Sequence, residues 1–339
     1  MRKSFLYILL TMIMLFTCAC GTTDTPNNND QDPPSPPSPP DPPAPVGHEV
    51  ITDNTFSKGF QVMGPAAINR DKWFYIDYLG TVDATQSPWE MARWWCPEGF
   101  DSETSTAEKV GDNYVYTDNS KVVKVNPETG YLYLELNASK VYEHPRKNGE
   151  NWPHLLIEQS FEEQFKINKV SKIIASITFT VEKLEMKMSQ DEYNPGLHAA
   201  QFLWYFTLTN RPSEGTVEEV GTPGDYLWFG VPLVDSRQLG GMTGSYNIDS
   251  GVTGSTNKMI YAMPSNRYLP PITVGERYQV EVDILPYMQN AFNIAQNSQC
   301  LKNVKFENLA FTYMNLGFEL PGTFDMAVSI EKLSTVVYE

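Results

Sequence analysis

Basic residues are few in this sequence relative to acidic ones. The chain has 25 Lys and Arg against 41 Asp and Glu, which gives a formal net charge of −16 at pH 7. A surface with this balance repels phosphate backbones, so nucleic acid is not an expected partner. The chain also lacks a P-loop, a dinucleotide fingerprint and a Gly-x-Ser-x-Gly elbow, which argues against nucleotide-dependent enzymes and α/β-type serine hydrolases.

Cysteine and histidine are also scarce, with four of each. Beyond the first twenty residues only Cys96 and Cys300 remain. They could pair in an oxidising compartment, and the alternative is two unpaired thiols. No Cys or His spacing fits a zinc site and no EF-hand-like loop is present, so no cofactor is expected. The segment around Asn247 and Asp249 leaves room for a structural calcium ion but lacks spaced partners.

The first twenty residues have the pattern of an export signal. Arg2 and Lys3 form a short positive head, and residues 5–16 are apolar except for Thr11. This apolar run is too short to cross a bilayer as a helix, whereas its length is typical of the central region of a secretory signal. We therefore expect export and removal of this segment.

Two cysteines close the apolar run. Cys20 has Ala19 before it and Gly21 after it, a setting that suits lipoprotein signal peptidase better than Thr17 before Cys18. The segment resembles the lipobox of bacterial lipoproteins, in which the cysteine is acylated and becomes the new N-terminus. The resemblance implies a signal peptide over residues 1–19 and a lipid on Cys20.

Residues 20–49 are predicted to be a disordered linker. Residues 33–45 read PPSPPSPPDPPAP, which favours an extended polyproline spacer of about 3 Å per residue. Asp24, Asp30 and Asp32 resemble the surface-export signals of Bacteroidota lipoproteins. The resemblance implies a lipid anchor in the outer membrane, exposure at the cell surface, and import or glycan-degrading proteins as partners.

The remaining chain, residues 50–339, is dominated by alternation of apolar and polar side chains. This period of two is typical of strands with one buried face. Residues 127–130, Pro-Glu-Thr-Gly, predict a hairpin turn, and helices are expected only over Trp89–Trp95 and Pro286–Asn297. Strands are predicted over Lys121–Val125, Tyr131–Leu136, Leu155–Gln159, Lys172–Lys183, Ala199–Thr209, Asp225–Val234, Met259–Met263, Arg277–Leu285, Val304–Tyr313 and Phe324–Leu333.

Ten or more strands without βαβ spacing predict an all-β fold, a single jelly-roll β-sandwich of two antiparallel sheets. In strand rhythm, size and aromatic content, residues 50–339 resemble the concanavalin-A-like lectin and glucanase sandwiches. The resemblance implies that one sheet is curved and that its polar outer face forms a groove.

Several acidic residues are candidates for catalysis in such a groove. Glu281-Val-Asp283 resembles the start of the acidic strand of family 16 glucanases, but the second glutamate of that strand is missing here. Residues two apart on a strand lie on one face about 6.5–7 Å apart, which is near the carboxyl separation that glycosidases use. Glu158 is a further candidate, and it shares a strand face with His154.

A lyase would need a base, an acid and a cation that neutralises a uronate. His154 or His198 could be the base, Tyr205 the acid, and Arg237 or the pair Arg146-Lys147 the cation. These residues form no recognisable motif, so each histidine also has an ordinary structural role as its alternative.

Aromatic residues on polar faces indicate a ligand more directly. Trp152 lies in a loop with amide side chains, and Tyr205 and Trp228 lie on polar strand faces, where Gln201 accompanies Tyr205. Aromatic rings stack on the C–H faces of sugars, and neighbouring polar groups then bind the hydroxyls. Trp89, Trp94 and Trp204 have apolar neighbours and are expected in the core.

Three functions follow from this reading. The first is a surface-anchored lipoprotein that binds polysaccharide through an aromatic-lined groove. The second is an endo-acting glycoside hydrolase or polysaccharide lyase that uses the same groove. The third is a structural or adhesive surface protein whose polar faces are only hydrated. No complete catalytic set can be named, so binding is the preferred hypothesis.

Overall fold

The computed structural model describes residues 45–66, 70–96, 99–100, 105–250 and 255–339. The expected signal peptide, the lipid site Cys20 and residues 20–44 of the expected linker lie outside these ranges. Within them, no helix is both long and apolar enough to cross a membrane.

The described residues form seventeen strands and two α-helices, because the alternating sequence offers one apolar face to nearly every strand. All ten predicted strands are found. Of the strand predicted over residues 304–313, only the part from Leu309 onward is a strand. The two helices are α1 (Val217–Val220) and α2 (Leu285–Asn297). The strands are β1 (Gly47–Glu49), β2 (Phe60–Met63), β3 (Lys72–Ile76), β4 (Glu90–Ala92), β5 (Thr106–Val110), β6 (Asn113–Thr117), β7 (Lys121–Asn126), β8 (Tyr131–Asn137), β9 (His154–Lys166), β10 (Lys172–Met186), β11 (Gln201–Asn210), β12 (Tyr226–Asp235), β13 (Ser245–Ile248), β14 (Met259–Ala262), β15 (Arg277–Asp283), β16 (Leu309–Glu319) and β17 (Phe324–Tyr338).

The strands pair into two sheets. The eight-stranded sheet has the order β15-β10-β17-β8-β7-β6-β5, with β1 paired to β17. The nine-stranded sheet has the order β13-β14-β12-β11-β16-β9-β4-β2-β3. The pairs are antiparallel except for β12 with β14 and β2 with β4. The predicted all-β jelly-roll sandwich of two sheets is confirmed.

The core lies between the sheets, and the alternation decides which side chains enter it. On β9, Leu155 and Ile157 are fully buried in the core, whereas Leu156 and Glu158 point to the other face of the strand. Trp204 on β11 and Leu316 on β16 point inward in the same way. The nine-stranded sheet therefore presents a second, outer face with a different composition.

The sandwich begins slightly before the predicted boundary at residue 50. Gly47 lies opposite Tyr338 and Glu49 lies opposite Val336, so β1 adds a short strand beside the C-terminal half of β17. The Glu49 carboxylate also accepts a hydrogen bond from the Thr335 backbone N–H, at 2.8 Å. The last residues of the expected linker are thus part of the folded domain.

The prediction of a helix over Trp89–Trp95 is wrong. Residues Glu90–Ala92 form β4, with Met91 opposite Ile157 of β9 and parallel to Val62 of β2. Pairing on both sides satisfies the backbone of this short segment, and long-range pairing of this kind leaves no local signal. The second predicted helix is confirmed as α2, with Pro286 in its first turn.

Cys96 and Cys300 are not paired. Among the described residues both are free thiols, Cys96 buried in the core and Cys300 partly exposed just after α2. Burial raises the pKa of the Cys96 thiol, which keeps it protonated. The disulfide considered from the sequence is therefore absent, and the alternative of two separate thiols holds.

Candidate functional site

A cavity of about 540 Å³ lies on the outer face of the nine-stranded sheet. Strands β9, β16, β11 and β12 form its floor. Its walls are loops: the loop before β3, the loop after β4, the loop before β9, the β11–β12 loop and the β13–β14 loop. Its size falls within the range of about 300–1,000 Å³ that is usual for pockets of organic ligands. Its lining includes Arg70, Trp94, Trp95, Asn151, Trp152, His154, Tyr205, Arg211, Tyr226, Trp228, Asp249, Tyr313, Asn315 and Glu319.

Strand register brings the floor residues into one row across the sheet. Glu158 on β9 lies opposite Asn315 on β16, and Asn315 lies opposite Tyr205 on β11. Tyr205 in turn lies opposite Gly230 on β12. Adjacent strands are about 4.8 Å apart, so residues widely separated in the chain become neighbours on this floor.

Gly230 explains how the Tyr205 ring lies over the neighbouring strand. A Cβ atom at Gly230 would come within 2.6 Å of Tyr205 Cε1. The missing side chain therefore leaves the space that the phenol ring takes, and the ring is held flat enough to form part of the cavity floor. Burial raises the pKa of Tyr205, so this phenol stays neutral and polar.

Trp228 is the centre of an aromatic cluster at one side of the cavity. Its ring centroid lies 6.2 Å from that of Tyr205, 5.5 Å from that of Tyr226 and 5.9 Å from that of Tyr313, each in an edge-on arrangement. Edge-to-face packing at these distances is favourable and fixes the rings. The sheet therefore offers a rigid aromatic platform where a polar face would normally be hydrated.

A second aromatic cluster lies at the other side, around His154. The His154 ring is 5.8 Å from the Trp152 ring and 5.7 Å from the Trp94 ring. Trp152 Nε1 donates to the Glu319 carboxylate at 3.2 Å, and the Arg146 guanidinium lies 4.8 Å from the Trp152 ring centroid. These contacts fix the loop tryptophan over the end of β9.

His154 is held neutral in this cluster. Its Nδ1 lies 2.9 Å from the Trp152 carbonyl oxygen, which can only accept, so Nδ1 carries the proton. Burial lowers the pKa of His154, and the effect outweighs the nearby Glu319, which acts to raise the pKa. A neutral imidazole next to two indoles suits binding, and its Nε2 remains as an acceptor.

Three buried polar atoms of the lining have no hydrogen-bond partner among the described residues. They are Asn315 Oδ1, Asn151 Oδ1 and Trp94 Nε1. Asn315 is only 6% exposed, so its amide oxygen is almost shielded from solvent. Unpartnered atoms of this kind also occur away from the cavity, for example Trp204 Nε1 in the core, and the three lining atoms are those that a ligand in the cavity would reach.

Glu158 is fully buried beneath Arg70 and Tyr313, and it does not line the cavity itself. Its Oε2 accepts from Arg70 Nη2 at 2.9 Å, and the same guanidinium nitrogen pairs with Glu90 on β4. Lys72 pairs with Glu90 as well. Arg70 therefore closes the floor at this point and joins two carboxylates of neighbouring strands.

The two carboxylates have opposite pKa shifts. Burial raises the pKa of Glu158 above its ordinary value, although Arg70 and Tyr313 oppose this shift. Burial acts in the same direction on Glu90, but hydrogen bonds and charge from Lys72 and Arg70 lower its pKa overall. Carboxyl pairs whose pKa values are separated in this way are common in acid–base catalysis, and they also occur in structural ion pairs.

The structure brings together four of the residues predicted from sequence. Trp152, His154, Tyr205 and Trp228 all line the cavity, and Glu158 lies directly below it. Trp94, which was expected in the core, lines the cavity as well, whereas Trp89 and Trp204 are core residues as expected.

Gln201 and Arg237 lie outside the cavity. Both bind Asp235 at the end of the β11–β12 pair: Gln201 Nε2 donates to its carboxylate at 2.8 Å, and Arg237 forms two hydrogen bonds with it. Satisfying one buried carboxylate gives each of them a structural role. Arg237, one of the two cations considered for a lyase, is therefore bound to Asp235. The guanidinium of the other, Arg146, lies 4.8 Å from the Trp152 ring centroid and donates to backbone carbonyls.

The remaining acidic and basic candidates lie elsewhere. Glu281 is exposed on β15, an edge strand of the eight-stranded sheet, and the Asp283 carboxylate accepts from the backbone N–H groups of Ile173 and Leu285 at the start of α2. Both ring nitrogens of the buried His198 are bonded to backbone atoms. No cluster of three His, Cys, Asp or Glu side chains in the described ranges could hold a metal ion.

Several lining residues were not predicted from the sequence. Tyr313, Asn315 and Glu319 alternate with the core residues Met314, Leu316 and Phe318, so the period of two could have identified them if strand β16 had been placed correctly. Arg70 lies in a loop before β3, and no local pattern connects it with Glu158, which is 88 residues away.

Comparisons with known proteins give a fold likeness only. No protein-family model and no curated protein matches the sequence. A family 12 xyloglucanase from Bacillus licheniformis is 10% identical with a TM-score of 0.39, over 69% of this chain and 96% of its own. A cellulase derived from the Cel12A cellulase of Rhodothermus marinus is 14% identical with a TM-score of 0.38, over 69% and 96%. A family 11 xylanase from Neocallimastix patriciarum is 8% identical with a TM-score of 0.34, over 70% and 96%.

The Arg70–Glu158 contact makes a prediction about pH. A raised pKa in the folded state means that the contribution of Glu158 to stability is present at low pH and is lost as pH rises through that pKa. Arg70→Met removes the positive charge that favours the ionised form of Glu158. Between about pH 5 and pH 8, the free energy of unfolding of this variant should therefore fall by about 1–3 kcal/mol more than that of the wild type. Urea unfolding at several pH values measures this.

The double variant Arg70→Met/Glu158→Gln should lose the added pH dependence, because position 158 then has no carboxyl to ionise. Arg277→Met is the matched control, since Arg277 pairs with Glu331 on the exposed face of the other sheet. A pH profile of Arg70→Met that parallels the wild type would contradict the proposed contact.

Proposed function

We propose that the cavity on the nine-stranded sheet binds a segment of polysaccharide. The observation that carries the proposal is the combination of a rigid aromatic platform around Trp228 with unpartnered polar atoms on Asn315, Asn151 and Trp94. Aromatic faces can stack on the C–H faces of sugar rings, and the amide oxygens and the indole N–H can bind hydroxyl groups. Apolar walls with a few directed polar groups are the usual composition of a ligand pocket.

Charges around the cavity suit a hydroxyl-rich ligand. Glu319 and Asp249 offer carboxylates, and Arg211 offers a guanidinium. Carboxylate and guanidinium groups form strong hydrogen bonds with neutral hydroxyls as well as with ions. The overall charge of −16 disfavours a highly anionic polymer, so a largely neutral glycan fits best.

Affinity electrophoresis of the purified domain tests binding, with gels that contain xyloglucan, arabinoxylan, mixed-linkage glucan or polygalacturonate. We expect retardation by at least one polymer, and we expect Trp228→Ala and Trp152→Ala each to weaken it about tenfold, which corresponds to about 1.4 kcal/mol. Tyr133→Ala is the matched control, because Tyr133 is a partly buried aromatic residue of the other sheet. If no polymer retards the protein, or if Tyr133→Ala reduces retardation as much as the tryptophan variants do, a structural or adhesive role would be favoured.

Hydrolysis of the bound chain is a second candidate, and the opposite pKa shifts of Glu158 and Glu90 favour it. With its raised pKa Glu158 would act as the acid, and Glu90, kept ionised by Lys72, would act as the base or nucleophile, once ligand binding had moved Arg70 and opened Glu158 to the cavity. Release of reducing ends from the same four polymers measures hydrolysis. Glu158→Gln should abolish release and preserve binding, whereas release that persists in this variant would exclude the mechanism.

We further propose that the protein is a lipoprotein of the outer membrane, anchored through Cys20 and exposed at the cell surface. The support is the apolar run that ends at the lipobox-like segment, followed by the acidic and proline-rich residues. Labelling with a palmitate analogue in an expressing bacterium should mark the wild type and Cys18→Ala, and it should be lost in Cys20→Ala. Label retained in Cys20→Ala and lost in Cys18→Ala would move the anchor to Cys18.

A further inference from the structure

A second cavity, of about 660 Å³, lies next to the first and is more open. Trp73 on β3 and Tyr142 provide its aromatic surfaces, and Glu143, His144 and Glu150 provide its polar rim. Trp73 is 52% exposed, and the Arg93 guanidinium lies 5.6 Å from its ring centroid, so the protein covers only part of the ring. This cavity plays no part in the contacts described so far.

The two cavities share two lining residues, Trp95 and Asn151. A ligand that follows the first cavity to this end would therefore meet the second without leaving the protein surface. The boundary is formed by an aromatic ring and a primary amide, the same pair of chemical groups that lines the first cavity. The two cavities are thus adjacent and share this boundary.

Trp95 is held at the boundary in an uncommon backbone conformation. Its φ angle is +58°, in the left-handed region that bulky residues rarely adopt. Its backbone N–H donates to the Pro65 carbonyl at 2.7 Å, and this bond ties the segment to the wall of the second cavity. Strained conformations of this kind occur preferentially at ligand-binding sites, where they orient a particular side chain.

Asn151 supplies the second feature of the boundary. Its side-chain Oδ1 is buried and has no partner among the described residues, although the residue lies in a polar loop. A hydroxyl donor placed between the two cavities would satisfy this oxygen. Because Asn151 lines both cavities, a chain that crosses the junction would bond to this oxygen as it passes from one cavity to the other.

We propose that one polysaccharide chain passes from the first cavity over Trp95 and Asn151 into the second, so that the protein binds an internal segment of a long chain. The proposal rests on the proposed glycan binding and specifies its ligand as a polymer or long oligomer. The carboxylates of Glu143 and Glu150 on the rim accept hydroxyl hydrogen bonds and repel anions, so the chain in the second cavity is neutral.

The test compares chain lengths. Each of the four polymers is partially hydrolysed, and oligomers of two to eight sugar units are separated and titrated by calorimetry beside the parent polymer. We expect affinity to rise at least tenfold between the shortest and longest oligomers of the binding polymer, because only long chains contact both cavities. Trp73→Ala should reduce affinity for the longest oligomers and the polymer about tenfold and leave affinity for the shortest unchanged.

Trp228→Ala should weaken the binding of oligomers of every length, since Trp228 lies in the first cavity. Tyr133→Ala should leave the affinity for every oligomer unchanged. Trp73 is half exposed and its ring also lies against Gly64 and the Arg93 guanidinium, so a melting curve checks that Trp73→Ala still folds. Dimers that bind as tightly as the polymer, or a Trp73→Ala variant with unchanged affinity for long oligomers, would overturn the proposal while glycan binding stands. Binding of no polymer and no oligomer would overturn both.

Discussion

Burial of one side of each sheet is the constraint on which the whole structure depends. Successive side chains of a strand point to opposite faces, so a chain that places its apolar residues at alternate positions must pack two sheets against each other. In β9 this rule sends Ile157 into the core and Glu158 to the outer face. The residues of the core therefore fix the position of every residue of the outer face, and the cavity is built on side chains that the core does not need.

The outer face of the nine-stranded sheet then departs from the composition of a hydrated surface. Trp228 packs edge-on against three tyrosines, and Gly230 leaves room for one of them. Arg70 covers Glu158, so a carboxylate that would otherwise be isolated is paired. Asn315 is left with an unpartnered amide oxygen in the same surface. Fixed rings together with unpartnered polar atoms are the features on which the proposed binding of a ligand to this face rests.

Much of this fold could be predicted from the sequence, because strands with one buried face carry their own periodic signal. The site was predicted in part: Trp228 was conspicuous as an aromatic residue on a polar face, whereas Arg70 lies in a loop and reaches Glu158 only through tertiary contacts. Glu281 was misleading, since alternation shows which residues share a face of one strand but does not show which sheet the strand joins. Pairing between distant strands fixes that choice, and it leaves no local pattern.

The central claim is that the outer face of the nine-stranded sheet is the ligand surface. Backbone amide hydrogen exchange, measured with and without a saturating polysaccharide, tests it most directly because it reports on every strand at once. We predict slower exchange in the loops that form the cavity walls, at residues 93–95, 151–153 and 222–226, with no change in β7, β8 and β10 of the opposite sheet. Protection confined to the eight-stranded sheet would contradict the account.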